Sequence, residues 1–172
     1  MASMMKSMSV VAAGTAMVAA AALAAAPSAS ALPSGSKSIR NANSSLCMGI
    51  WSYTGIEAIQ WGCNGNPDQL WKFDLKDNGY ITVTNRAGKC LGIYGGSTDK
   101  GTDAVAWACN GNADQMWWMD TNQPGGTFRL VNRNSGKCLG VYGAATNQGA
   151  NLIQWDCNNN DDQRWYRQGD GI

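Results

Sequence analysis

Three kinds of side chain suited to ligand binding recur at matching positions along the sequence. A tryptophan comes two residues before each of three cysteines, another aromatic residue comes four residues after the preceding cysteine, and an aspartate lies five residues beyond each pair. An aromatic face stacks on the C–H face of a sugar, and a carboxylate beside it accepts hydrogen bonds from sugar hydroxyls. The pattern therefore predicts carbohydrate binding at up to three equivalent sites. Their residues are Trp61, Trp107 and Trp155; Trp51, Tyr94 and Tyr142; and Asp68, Asp114 and Asp162.

The composition excludes several other functions. The chain has 172 residues and no histidine, so Ser-His-Asp and Cys-His catalysis and histidine-ligated zinc have no basis in it. A formal charge of +1 is not the electrostatic pattern of a nucleic-acid-binding protein. A glycosidase needs two carboxyl groups at a set separation, whereas the repeated aspartates belong to different units. We therefore expect a protein that is not an enzyme and needs no cofactor or metal.

The first 31 residues have the features of a secretory signal peptide. Lys6 precedes an alanine-rich apolar stretch at residues 10–26, and Ala29-Ser30-Ala31 fits the small-x-small pattern of a signal peptidase site. The apolar stretch is shorter than the ~20 residues that a membrane span prefers. We expect cleavage after Ala31, secretion to the extracellular space, and a mature chain of residues 32–172 with no membrane span.

All six cysteines lie beyond this segment, and an even number of cysteines in an exported chain predicts disulfide bonds. Six cysteines allow fifteen connectivities, and the spacing favours pairing of consecutive cysteines. The second and third pairs then share a separation of 19 residues, and the first pair is three residues closer. No Cys-x-x-Cys motif supports a zinc site instead. In chain order they are Cys47, Cys63, Cys90, Cys109, Cys138 and Cys157.

The cysteine pairs lie inside a unit that occurs three times, at about residues 38–79, 80–126 and 127–168. Each unit contains four short strand-type runs separated by turn residues, which are too short and too broken for helices. One unit cannot bury its own apolar face, so the three are expected to share one core. The sequence therefore predicts one all-β domain of about twelve strands. The units close on Gln69-Leu70-Trp71, Gln115-Met116-Trp117 and Gln163-Arg164-Trp165.

Three repeats that each end in Gln-x-Trp resemble the ricin B-type, or R-type, lectin domain. The resemblance covers about residues 38–166 and implies a β-trefoil of three four-stranded repeats, with one disulfide inside each repeat. It implies that the signature tryptophans fill the shared core and that the signature glutamines make internal hydrogen bonds. It also places Trp61, Trp107 and Trp155 where the sugar ring stacks. The implied protein is a monomeric lectin whose partner is a polysaccharide or glycan.

One feature departs from the pattern of that family. Its sugar-binding repeats carry an aspartate two residues after the first cysteine and an asparagine just before the signature glutamine. Here Gly49, Gly92 and Gly140 occupy the first position, and the three aspartates occupy the second. Either the carboxylate has moved to the other wall of the pocket, with glycine making room for a larger ligand substituent or the neighbouring aromatic ring, or the sites have lost sugar binding and the aspartates cap turns.

Differences between the repeats rank the candidate sites. Ala106 precedes the tryptophan of the second repeat, where the other repeats have Gln60 and Gln154, so the second site lacks one polar group. The first repeat has the shortened loop between its cysteines. The third repeat is therefore the preferred site. Its residues are Tyr142, Gln154, Trp155 and Asp162, with the acidic neighbour Asp161.

A protein-binding role is the alternative, because a fold does not fix a function. In that case the chain is an inhibitor, or the recognition subunit of a secreted toxin or enzyme complex, and its sugar sites are degenerate. Glycan binding that depends on Trp155 distinguishes the two roles.

Overall fold

The computed structural model describes residues 35–51 and 55–168, which form twelve β-strands in three consecutive groups of four. We call these groups the first, second and third lobes. The predicted signal peptide lies outside the described residues. The first lobe comprises β1 (Lys37–Asn41), β2 (Cys47–Ile50), β3 (Ala58–Trp61) and β4 (Leu70–Leu75). The second comprises β5 (Ile81–Asn85), β6 (Lys89–Ile93), β7 (Ala104–Ala108) and β8 (Trp117–Asp120). The third comprises β9 (Arg129–Asn132), β10 (Cys138–Val141), β11 (Leu152–Trp155) and β12 (Trp165–Arg167).

Six strands pair into a closed barrel, and the other six form three hairpins. Antiparallel pairing joins β1 to β4, β4 to β5, β5 to β8, β8 to β9, and β12 to β1. A bridge between Phe128 and Trp165 closes the ring between the third lobe's two barrel strands. The hairpins are β2–β3, β6–β7 and β10–β11, one in each lobe. This is the predicted β-trefoil, and the all-β prediction is confirmed. Within the described residues, no helix is long and apolar enough to span a membrane.

The signature tryptophans lie at the centre of the core. Trp71, Trp117 and Trp165 are all 0% exposed. Each indole N–H donates to a carbonyl of the hairpin in its own lobe, at 2.9 Å to Met48, 3.0 Å to Leu91 and 3.1 Å to Leu139. A buried indole needs such an acceptor, and each bond ties a barrel strand to its hairpin. The predicted core role is confirmed. The indoles pack against apolar side chains from all three lobes, including Ile39, Leu91 and Leu139.

The signature glutamines hold the loop that follows each hairpin. In the third lobe, Gln163 Nε2 donates to the Asp156 carbonyl at 3.0 Å, and its Oε1 accepts from the Asn158 amide at 2.9 Å. Gln69 and Gln115 make the same two bonds in their own lobes. The predicted internal role of these glutamines is therefore confirmed.

The disulfides pair the cysteines as predicted. They join Cys47 to Cys63, Cys90 to Cys109, and Cys138 to Cys157. In each disulfide, the first cysteine lies at or next to the start of the hairpin's first strand. The second cysteine lies one or two residues after the end of the hairpin's second strand. A chain-entropy estimate gives about 3 kcal/mol for closing a loop of this length. The disulfides therefore hold the two strands of each hairpin together within one lobe.

Two further buried glutamines, Gln60 and Gln154, join neighbouring lobes through hydrogen bonds. Gln154, in the third lobe, donates to the carbonyls of Ser97 at 2.9 Å and Asp99 at 2.8 Å in the second lobe. Its Oε1 accepts a bond of 2.6 Å from Ser135 Oγ. Gln60, in the first lobe, makes the corresponding bonds to a loop of the third lobe and to Ser44 Oγ. Each clamp thus fixes the long hairpin loop of a neighbour.

Between the second lobe and the described part of the first lobe, no glutamine makes such a clamp. There Ala106 of the second lobe donates its backbone N–H to the Ile56 carbonyl of the first lobe at 2.7 Å. The alanine side chain has no amide group that could hold a loop. The hairpin loop that it faces, in the first lobe, is three residues shorter than the other two. The turn that carries Ser44 and Ser135 elsewhere has Ala87 here. The shorter loop, the loss of the glutamine amide at Ala106 and the loss of the serine hydroxyl at Ala87 therefore occur together at this interface.

The core role of Trp117 can be tested against its exposed neighbour Trp118. We expect Trp117→Ala to lower the free energy of unfolding by about 3–5 kcal/mol, because it leaves a cavity and an unpaired carbonyl. Trp118→Ala removes an exposed ring and should cost less than about 1.5 kcal/mol. Urea unfolding followed by circular dichroism measures both, and equal losses would contradict the assignment.

Candidate functional site

The recurring aromatic side chains face outward, in contrast to the signature tryptophans. In the third lobe Tyr142 is 63% exposed and Trp155 is 39% exposed. The equivalent pair in the first lobe, Trp51 and Trp61, is also exposed. In the second lobe Tyr94 is exposed and Trp107 is half-buried. All three aromatic pairs are therefore accessible to a ligand to some degree.

Three neighbouring elements of the third lobe position its site. Trp155 ends strand β11, and because side chains alternate along a strand it points outward where Gln154 points inward. Tyr142 begins the 3₁₀ turn Tyr142–Ala144, which follows β10 directly. Asp162 lies in the 3₁₀ turn Asp161–Gln163, which the signature glutamine anchors. The disulfide-stapled hairpin and this turn thus bring the aromatic residues and the carboxylate together.

These residues line one hollow in the third lobe, with a volume of about 380 Å³. We call it the third-lobe hollow; Tyr142, Trp155 and Asp162 line it together with Asn158 and Asn160. The first lobe has a matching hollow of about 330 Å³. Its lining includes Trp51, Trp61, Asp68, Asn64 and Asn66.

The asparagines are functional candidates that the sequence reasoning missed. Asn158 and Asn160 line the third-lobe hollow, and Asn64 and Asn66 line that of the first lobe. Their signal was present in the sequence, since an Asn-x-Asn follows the second cysteine of every repeat. In the sequence alone, such a pattern indicates a turn. The turn is real, because the Asn160 N–H donates to Asn158 Oδ1 at 2.8 Å.

The glycines that replace the expected aspartates make room for side chains of the protein itself. A Cβ on Gly140 would lie 2.9 Å from Gln163 Cγ and 3.1 Å from Asp162 Oδ2. Gly49 and Gly92 meet the equivalent glutamine and aspartate at similar distances. The expectation that glycine makes room for a larger ligand substituent or for the neighbouring aromatic ring is therefore corrected. The carboxylate itself occupies the space above the glycine.

The carboxylates of the second and third lobes are buried. Burial raises the pKa of Asp114 and of Asp162 above the ordinary aspartate value, and a backbone hydrogen bond opposes part of this shift. In the second lobe, Asp114 Oδ2 is buried and finds no hydrogen-bond partner among the described residues. A buried polar atom without a partner is energetically costly.

Gln154 does not belong to the ligand-binding surface. It is 0% exposed, and both ends of its amide bond to Ser97, Asp99 and Ser135 as described above. The strand alternation that exposes Trp155 buries the residue before it. The predicted role of Gln154 as a sugar-binding residue is therefore corrected to a structural clamp. For the same reason, Ala106 does not remove a polar group from the second site.

The aromatic pairs differ in geometry between the lobes. Tyr94 stacks over Trp107, with ring centroids 6.2 Å apart and an angle of 30° between the planes. Trp51 meets Trp61 edge to face at 5.9 Å and 82°. In the third lobe the cation of Lys100 lies 5.2 Å from the centre of the Trp155 ring. Tyr94 thus covers Trp107 and offers its own outer face, so the three sites present different surfaces.

The described residues contain no group of three or more His, Cys, Asp or Glu side chains that could hold a metal ion. The repeated aspartates lie in different lobes: Asp68 lines the first-lobe hollow, Asp162 lines the third-lobe hollow, and Asp114 lies in a turn of the second lobe. The chemistry available in one hollow is therefore an aromatic surface, a carboxylate and two amides. These groups bind a polar ligand through stacking and hydrogen bonds.

The pH dependence of the free energy of unfolding tests whether the Asp162 carboxyl group is buried. Because its folded-state pKa lies above the unfolded value, its contribution to stability is full below the unfolded pKa and is lost as pH rises through the folded pKa. We therefore expect Asp162→Asn to gain stability relative to the unsubstituted protein between about pH 4 and pH 7. Urea unfolding across this range measures the difference. The exposed Asp77→Asn is the matched control, and a pH-independent difference for Asp162→Asn would contradict the expectation.

Sequence comparison matches the chain to a family described as the ricin-type beta-trefoil lectin domain-like family. The matches cover residues 28–107, 69–155 and 122–171, and therefore all three lobes. No curated protein matches the sequence significantly.

Several solved structures share the fold. The designed threefold-symmetric protein ThreeFoil is 29% identical, with a TM-score of 0.72 over 78% of this chain and 98% of its own. A ricin B-like lectin of Macrolepiota procera in complex with lactose is 20% identical, with a TM-score of 0.70 over 80% and 98%. An exo-beta-1,3-galactanase from Clostridium thermocellum is 23% identical, with a TM-score of 0.73 over 78% of this chain. This chain spans only 30% of that enzyme.

Proposed function

Since the chain belongs to the ricin-type β-trefoil lectin-like family, we propose that it is a secreted, non-catalytic carbohydrate-binding module. One observation carries this proposal: in the third-lobe hollow, two exposed aromatic rings and a buried carboxylate line the same space. The first-lobe hollow likewise has two exposed aromatic rings and an aspartate, Asp68, which is half-buried. Three disulfides support an extracellular setting, because such bonds persist in oxidising compartments.

The binding mechanism follows from the three kinds of group in the hollow. The C–H face of a sugar stacks on Trp155 or Tyr142, which supplies most of the affinity. The Asp162 carboxylate accepts hydrogen bonds from the hydroxyls, and charge-assisted bonds of this kind are stronger than neutral ones. The amides of Asn158 and Asn160 both donate and accept. No covalent bond of the ligand changes.

Each site is shallow and open to solvent, so its affinity is low. We expect a dissociation constant between millimolar and high micromolar, or about −4 to −6 kcal/mol. Similar sites on one rigid body favour repeating ligands, because binding at one site raises the effective concentration at the next. The ligand class is therefore a polysaccharide or a multivalent glycan. Galactose-containing sugars are the first probes, given the lactose and galactan in the names of two structural neighbours.

A second surface favours the alternative, a protein-binding role. Trp118 is 49% exposed and lies outside the hollows. Its ring meets Tyr80 edge to face at 6.4 Å, and the Arg133 guanidinium lies 4.9 Å from the centre of the Tyr80 ring. Tryptophan, tyrosine and arginine are the residue types that dominate protein interfaces. In this second candidate function, the chain recognises a protein through that patch.

The two functions are separated by a pair of tryptophan variants. We expect Trp155→Ala to remove the third-lobe site, so that the protein binds fewer lactose molecules and binds soluble β-1,3-galactan about tenfold more weakly through the loss of multivalent contact. Trp118→Ala removes a ring that is somewhat more exposed than Trp155, and it should leave that binding unchanged. Isothermal titration with lactose and affinity electrophoresis with the galactan measure this.

The panel for these experiments also contains glucose, cellobiose, N-acetylglucosamine and chitobiose, so that a different sugar preference is detected. Thermal unfolding checks that both variants are folded. Binding that Trp118→Ala abolishes and Trp155→Ala leaves intact would contradict the proposed site. No binding of any probe would move the assignment to the protein-binding role.

A further inference from the structure

A second, polar hollow of about 370 Å³ adjoins the third-lobe hollow. Ala144, Asn160 and Asp162 line both spaces, so the two hollows lie side by side. This volume equals that of about twelve water molecules. We call it the polar hollow. The lining residues found in it alone are Asn43, Asn159, Asp161 and Arg164.

Three of these residues are where the third lobe departs from the other two. Asn159, Asp161 and Arg164 stand where the second lobe has Gly111, Ala113 and Met116. The first lobe has Gly65, Pro67 and Leu70 at the same positions. Both other lobes therefore carry small or apolar residues throughout, and only the third lobe carries polar ones.

The fold does not require these polar residues. The other lobes build the same 3₁₀ turn without them, at Pro67–Gln69 and Ala113–Gln115. Each turn is followed directly by a strand that leads into the core through the signature tryptophan. These three polar residues nevertheless line one hollow. Their common effect is to line that hollow with hydrogen-bonding groups.

The chemistry of the polar hollow differs from that of its neighbour. Arg164 pairs with Asp161, and the Arg164 side chain is only 19% exposed. Asn43 reaches in from the first lobe and donates from Nδ2 to the Ala144 carbonyl at 3.0 Å. No aromatic ring lines this space. It therefore offers donors and acceptors for hydroxyl groups, without a stacking surface.

The charges select against an acidic ligand. Asp161 and Asp162 contribute two carboxyl groups against the single guanidinium of Arg164. The guanidinium is already paired with one of them. A sugar carboxylate would meet no unpaired cation among the residues lining this space. A neutral sugar residue, which presents only hydroxyl groups, is the ligand that these groups fit.

We propose that the polar hollow is a second sugar subsite, so that the third lobe binds a neutral oligosaccharide of at least two residues. One ring stacks in the third-lobe hollow, and the next ring of the same chain hydrogen-bonds to Asn159 and Arg164. The first and second lobes lack this subsite and bind single sugar residues. The inference rests on the proposed carbohydrate-binding function and extends it to the length and charge of the ligand.

The matched variant takes its residues from the protein's own second lobe: Asn159→Gly, Asp161→Ala and Arg164→Met together. Isothermal titration compares galactose with lactose, glucose with cellobiose, and N-acetylglucosamine with chitobiose on the full chain. For the sugar pair that binds, we expect the unsubstituted protein to prefer the disaccharide by about tenfold. The triple variant should lose that preference and keep its affinity for the monosaccharide, since the third-lobe hollow is unchanged.

The outcomes separate the subsite from the lectin function. Equal affinities for mono- and disaccharide in the unsubstituted protein, or a disaccharide preference that survives in the triple variant, would overturn the subsite alone. No binding of any sugar would overturn the proposed function and the subsite with it. Thermal unfolding checks the fold of the variant, and the exposed single change Asn159→Gly, which disturbs no ion pair, gives a second measure of the lost preference.

Discussion

The structure depends on the requirement that each buried signature indole satisfies its N–H inside the core. Trp165, for example, has no contact with solvent and donates to the Leu139 carbonyl in its own hairpin. The bond fixes a barrel strand relative to the hairpin that carries the exposed aromatic residues. Two positions earlier, Gln163 anchors the loop of Asn158. One short motif therefore sets the core, the hairpin and the wall of the hollow.

The same motif explains how the carboxylate reaches its position. Asp162 immediately precedes Gln163 in the anchored 3₁₀ turn, so its direction is fixed by the bonds that hold the glutamine. Gly140 leaves the space that the carboxylate fills. A side chain at position 140 would have to displace both residues. The glycine and the aspartate are thus a complementary pair, and the carboxylate is held by the scaffold before any ligand arrives.

Much of this architecture could be predicted from the sequence, because it is repeated. The threefold pattern of Cys, Gln and Trp indicated the strands, the pairing of Cys138 with Cys157 and the buried place of Trp165. Gln154 was assigned wrongly although its neighbour Trp155 was correctly expected outside, since strand alternation was not applied to the pair. The carbonyls of Ser97 and Asp99, to which Gln154 donates, lie more than fifty residues away in another lobe. The polar hollow also depends on Asn43, which no local sequence pattern connects to Arg164.

The unequal lobe interfaces have a consequence for motion within the folded state. Two of them are held by the buried side-chain amides of Gln60 and Gln154, while among the described residues the interface at Ala106 has a backbone hydrogen bond to Ile56 and no such amide. Transient opening needs less free energy where fewer buried bonds break. Amide protons near Ala106 should therefore exchange with deuterium sooner than those near Gln154. Local opening of the pseudo-threefold molecule would then begin at the interface between the first and second lobes.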